Sequence, residues 1–242
     1  MKRQRAVIGA VVEIPINNGE YYIYAQMIPN GSYAFFDHKF ESKLNDLAIL
    51  QSLPVLFYAS IFRDVVSTGI WLKVGKIPIR SEFYSPMCKY VYHYYETDVN
   101  RKFEIYDCDT GIIMPATKED IEGLESCSVW DAATIEDRIV SHYNNAGCIE
   151  LIEDYELFGF PQNIKHDQII ANVQNLIFKT KERNSVYYEF IIDGHTYKGW
   201  HDDFLKKYQI GNKIKVIYSV VNPDVNYCAD WDIIWPKKNR NL

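Results

Sequence analysis

At 242 residues, with 48% apolar and 24% charged side chains, the chain can form one large or two small domains around a sizeable core. A net charge of −6 argues against direct nucleic-acid binding by the molecule as a whole. No stretch approaches the roughly 18 apolar residues that cross a bilayer, and Glu13 and Pro15 cut the signal-like start, Met1 to Val12, to an apolar run of about seven, so the sequence reads as cytoplasmic.

Three runs rich in β-branched and aromatic residues open the chain between Gly9 and Asp37, separated by Asn18-Gly19 and Asn30-Gly31. Asn-Gly supplies the positive φ of a tight hairpin turn, so a three-stranded antiparallel meander is expected on a half-buried surface. A polar break, Glu41 to Asn45, precedes a fourth strand over Pro54 to Ile61. Arg63 to Thr68 fits one helical turn closed by Gly69, and Trp71 to Ile77 a strand stopped by Pro78. Tyr90 to Tyr95 and Phe103 to Asp107 read as further strands. Thr117-Lys-Glu-Asp120 resembles a capping box and predicts a helix; Asp131 predicts a second, with Ile135, Ile139, Val140 and Tyr143 at helical spacing before Asn144 to Gly147 end it. Tyr155 to Asn163 shows no clear period. A second unit starts near Lys165, with strands over Val173 to Lys179 and Val186 to Ile192, an Asp193-Gly194 turn into His195 to Lys198, and another strand over Ile214 to Tyr218.

The order Gly9, Glu13-Ile-Pro15, Tyr24, Tyr33, Phe36-Asp37, then Trp71 and Gly75 resembles the immunity protein 26 family, antitoxins that accompany bacterial polymorphic toxins. The resemblance spans about residues 5–155 and implies a toxin-neutralising protein. Residues 170–223 resemble small β-domains usually given no function. The expected architecture is α+β: a bent antiparallel sheet or half-barrel with acidic helices in a first domain, 1–155, then a small β-rich domain, 166–242.

Charge separates these parts. Residues 1–116 carry 12 basic and 12 acidic side chains, whereas residues 117–156 carry 2 basic and 11 acidic. Residues 165–242 carry 12 basic and 9 acidic. The expected partner-binding carboxylates are therefore Glu119, Asp120, Glu122 and Glu125 in one helix and Asp131, Glu136 and Asp137 in the next. They suit a cognate protein toxin, such as a nuclease, whose basic surface holds phosphates. Acidic residues at helix starts also complement the dipole and solvate a face, so the pattern admits both readings.

Asp107-Cys-Asp-Thr-Gly111 raises an enzyme alternative, since Asp-Thr-Gly resembles the aspartic protease triplet and paired Asp could hold a cation. The triplet occurs once, Ile112 stands where a small residue is usual, and a β-turn accounts for the segment. A structural or adaptor role is the third reading. No cofactor fingerprint, phosphate loop or nucleophile elbow occurs. Cys88, Cys108, Cys127, Cys148 and Cys228 are odd in number and dispersed, as expected of reduced thiols. His195-x5-His201 and His142-x5-Cys148 each lack the second pair that a zinc site needs. The five Trp read as packing residues, and Lys237 to Arg240 as a solvated tail.

Overall fold

Two Asn-Gly turns organise the start of the chain. In the computed structural model, which describes residues 4–93, 96, 98–178, 184–203 and 207–229, β1 (Ala10–Ile16), β2 (Tyr21–Met27) and β3 (Tyr33–Phe36) form the expected meander. The first turn is longer than a two-residue hairpin: Asn17, Asn18 and Gly19 all take positive φ, and Gly19 and Glu20 donate to Ile16 O. β4 (Val55–Ile61), α1 (Arg63–Ser67) and β5 (Leu72–Lys76) follow where the sequence places them.

With β10 (Val129–Trp130), these strands join one six-stranded sheet in the order β10-β4-β3-β2-β1-β5, curled into a half-barrel. Irregularities between Val11 and Val12 and between Phe35 and Phe36 supply bends, because an extra residue on one strand raises local twist. The meander is not half-buried, as alternation suggested: β1 and β3 are buried on both faces apart from Pro15. One face packs Val11, Tyr24, Ala34 and Phe36 with Leu50 and Phe83. On the other, Phe35 stacks on Phe57 and meets Trp71 edge-on at 6.0 Å. At Gly75 a Cβ would lie 2.5 Å from Leu47 Cδ1, so any side chain there would have to displace that leucine.

A four-stranded sheet, ordered β8-β7-β6-β9, contains β6 (Cys88–Tyr92), β7 (Phe103–Asp107), β8 (Ile113–Ala116) and the short β9 (Glu125–Ser126). The sequence reading missed β8 and β9, and also β10 (Val129–Trp130), which pairs parallel to β4. The helix expected from Thr117 does not form. Its capping box does: Thr117 N–H and Oγ1 donate to Asp120 Oδ2 at 2.8 and 2.9 Å, and Asp120 N–H returns to Thr117 Oγ1 at 3.3 Å. Gly123 then takes φ +82° and ends the turn before any helical ladder can propagate, while Ile121 is wholly buried. The expectation of two acidic helices is thus corrected to one acidic turn and one helix, α2 (Ala132–Tyr143). Asp131 caps α2, accepting from Thr134 N–H at 2.8 Å, and Ile135 and Ile139 are buried as their spacing requires.

Contacts divide the chain into units 1–137 and 138–242. In the second, α3 (Ile152–Phe158) occupies part of the stretch that showed no period. Its apolar positions Tyr155 and Leu157 are buried, and Tyr155 clusters with Ile164, Val225 and Tyr227. A five-stranded antiparallel sheet, β13-β12-β11-β14-β15, is built from β11 (His166–Phe178), β12 (Asn184–Ile192), β13 (His195–Asp203), β14 (Lys213–Ser219) and β15 (Asn226–Cys228). Its core packs Val173, Val186, Tyr188, Phe190, Ile214 and Val216. The whole is a mixed α+β protein, mostly sheet with few helices. The expectations for Tyr94, Tyr95, Lys179, Trp231, Trp235 and Lys237 to Arg240 lie outside the described residues.

Candidate functional site

The seven candidate carboxylates do not form one uniform surface. Glu119, Asp120 and Glu122 stand exposed on the single turn between β8 and β9. Hydrogen bonds hold two of them below the usual carboxylate range: its own backbone N–H chiefly and the Thr117 side chain for Glu119, and Thr117 N–H with its hydroxyl for Asp120. Asp131 is exposed at the start of α2 and likewise lowered, chiefly by Thr134 N–H. Asp137 is exposed in the same helix. With their carboxyls lowered, Glu119, Asp120 and Asp131 are anionic throughout the neutral range.

Glu125 and Glu136 differ, because both are partly buried. Glu125 lies opposite Lys89 in the parallel β6–β9 pair. Lys89 is itself buried and donates from Nζ to Ser60 Oγ at 2.9 Å. Burial pushes the Lys89 ammonium down, and Glu125 is among the groups that partly offset that shift. Glu136 accepts a 2.8 Å hydrogen bond from the indole Nε1 of Trp71, a residue with no exposed surface. These two carboxylates serve the fold, and the helical periodicity that grouped them with the others carried no information about their partners.

Asp107 and Asp109 shape a turn. Asp107 Oδ1 accepts from Asp109 N–H at 2.8 Å and Thr110 N–H at 3.1 Å, and these bonds hold its carboxyl below the usual range. Asp109 Oδ2 accepts from Met87 N–H at 3.1 Å. Both carboxylates therefore accept from backbone amides, Asp107 within its own turn and Asp109 from the residue that leads into β6. Among the described residues no group of three or more His, Cys, Asp or Glu is disposed to hold a metal ion.

The resemblance residues make a buried polar link that the sequence did not show. Glu13 is buried, accepts from Tyr24 Oη at 3.0 Å and pairs with Lys43 Nζ at 2.7 Å. Tyr24 Oη in turn accepts from Leu44 N–H at 2.8 Å, so the link ties the break after β3 to the sheet. Burial foremost raises the Tyr24 hydroxyl to about 12, keeping it a donor. Gln26, fully buried, donates from Nε2 to Ile77 O and Pro78 O at 3.0 and 3.1 Å. Glu13, Tyr24 and Gln26 thus organise the half-barrel and offer no surface to a ligand.

The sequence reading did not propose Ile112, Ile113 and Met114 as contact residues; they lie between the Asp-Thr-Gly turn and the acidic turn and are 55%, 55% and 46% exposed. Three consecutive apolar residues beside an acidic block were the available signal. In the second unit, a shallow depression lined by Ile170, Glu189, Ile191 and Thr196 sits on the sheet.

No helix among the described residues is long and apolar enough to cross a membrane. No curated protein and no solved structure matches the chain. Residues 7–98, from the start of the half-barrel sheet through β6, match the immunity protein 26 family, whose members are immunity proteins.

Proposed function

We propose that the protein is an antitoxin that neutralises a bacterial polymorphic toxin by direct, non-catalytic binding inside the producing cell. The observation that carries the reading is the match of residues 7–98 to the immunity protein 26 family. Supporting it is the acidic block of residues 117–156, whose members Glu119, Asp120, Glu122, Asp131 and Asp137 are exposed, whereas Glu125 and Glu136 are partly buried. On this reading the toxin presents a basic surface, as a nuclease does to hold phosphates, and the carboxylates occupy it. The two-domain division at 1–155 and 166–242 belongs to the same proposal, with the family-like domain carrying the inhibition.

The experiment is co-expression with the C-terminal domain of the polymorphic toxin that this reading expects to be encoded beside the protein's gene. Wild-type protein is expected to restore growth and to bind that purified domain with a salt-dependent association rate. Glu119→Gln, Glu122→Gln and Asp137→Asn together should slow association and flatten its salt dependence, because charged rims act mainly on encounter and are screened within about 8 Å at physiological ionic strength. Unrelieved toxicity and no binding by the wild type would refute the proposal. For the enzyme alternative at Asp107 and Asp109, loss of a purified hydrolytic activity in a folded Asp109→Asn variant would be the deciding result.

A further inference from the structure

The outer edge of the four-stranded sheet combines features that a docking site for a protein needs. β8 is its terminal strand, and no described strand lies beyond it. Sequence edges of this kind are normally blunted by charge, proline, bulges or cover. The opposite case is visible at β5, the edge of the half-barrel sheet. There the strand itself carries Lys73 and Lys76, the pairing with β1 is irregular, and Gln4 Oε1 accepts from Lys73 N–H at 2.7 Å.

β8 carries no charge at all, and it exposes Ile113 and Met114 directly after the exposed Ile112. Its backbone tells what kind of contact it can make. Asp107 N–H donates to Ile112 O at 2.9 Å, and Tyr106 faces Ile113 while Glu104 faces Pro115. Bonded and non-bonded pairs alternate along an antiparallel ladder, so Ile113 and Pro115 are the residues whose backbone groups point away from β7. Pro115 has no N–H to offer, which leaves Ile113 as the strand's one outward amide donor. Strand addition is thereby stopped after a single residue, and a partner must be held by side chains.

Carboxylates bracket this apolar segment in the chain. Asp107 and Asp109 precede it, Glu119, Asp120 and Glu122 follow it, and Lys118 is the one basic residue between Phe103 and Trp130. We infer that Ile112, Ile113 and Met114 are the apolar anchor of the toxin interface, inserted into a hydrophobic pocket of a toxin whose rim is lined with Lys and Arg. An apolar centre with a charged rim is the division of labour seen in tight interfaces: the centre governs dissociation, the rim governs encounter. The like charge of the rim disfavours a second copy of this chain as the occupant. The inference rests on the antitoxin reading above, and it places the anchor beyond residues 7–98, the part that matches the family.

The test uses the full-length protein and the purified, catalytically inactivated toxic domain that the antitoxin reading expects beside its gene. Ile113→Ser/Met114→Ser should dissociate about ten-fold faster or more, with the association rate and its salt slope nearly unchanged. Ile112→Ser, a single change just before the strand, guards against a folding defect in the double variant and should show the same direction of effect. Ile170→Ser, at a 57% exposed position in the second unit, should bind as wild type. Wild-type dissociation rates for both β8-edge variants would overturn the anchor while leaving the antitoxin reading in place. Absence of binding by the wild-type protein would overturn the antitoxin reading, and the anchor with it.

Discussion

Glu136→Ala should destabilise the protein although its residue belongs to an otherwise solvated acidic block. Trp71 has no exposed surface, and its indole Nε1 is held by Glu136 Oε1 at 2.8 Å. Removing the carboxylate leaves a buried donor without that acceptor, a loss of about 1–3 kcal/mol. For a protein of this size each kcal/mol shifts the melting midpoint by about 2–4 °C, so a fall of about 2–12 °C is expected. Glu136→Gln keeps a carbonyl oxygen at the same reach and forfeits only the charge assistance, so it should cost about 1 kcal/mol or less. Glu119→Ala, on an exposed turn, should stay within about 0.5 kcal/mol of wild type. Urea unfolding followed by tryptophan fluorescence reads all three. A Glu136→Ala midpoint matching that of Glu119→Ala would refute the assignment of Glu136 to the fold and return it to the candidate interface.

Three further outcomes follow from the second unit and the thiols. Gly199→Ala should cost about 1–3 kcal/mol of stability, because a Cβ there would run into Asn226 Oδ1 and the Tyr188 ring, disturbing the buried Tyr188–Asn226 hydrogen bond of 2.9 Å; an unchanged melting curve would contradict this. Burial foremost raises the Glu156 carboxyl to about 8 from an ordinary 4.5, so its ionisation disfavours the fold increasingly between those pH values. Glu156→Gln should therefore raise the melting midpoint at pH 8.5 and have little effect at pH 4, with the partial solvent access of Glu156 limiting the gain; an equal effect at both pH values would refute it. Titration of denatured protein purified without reductant should count five thiols, and in the native protein the exposed Cys127 should react before the buried Cys148 and Cys228; a count of one or three would show disulfides.

Local chemistry alone determined much of this protein. Asn-Gly pairs, proline stops and β-branched runs marked β1 to β5, and Asp131 with Ile135 and Ile139 marked α2, because turn geometry and helical period are written in neighbouring residues. The Asp107 turn was equally local. Tertiary structure decided the rest. It buried both faces of the meander, which alternation cannot reveal once each face has its own cover. It stopped the Thr117 capping box at Gly123, since one hydrogen-bonded turn cannot repay helix nucleation without packing to extend it. It also divided the acidic block, drawing Glu136 to Trp71 across 65 residues and Glu125 to the Lys89 strand, while Glu119, Asp120 and Glu122 stayed in water. Charge is legible in sequence; the partner that a charge meets depends on which distant segments the fold brings beside it.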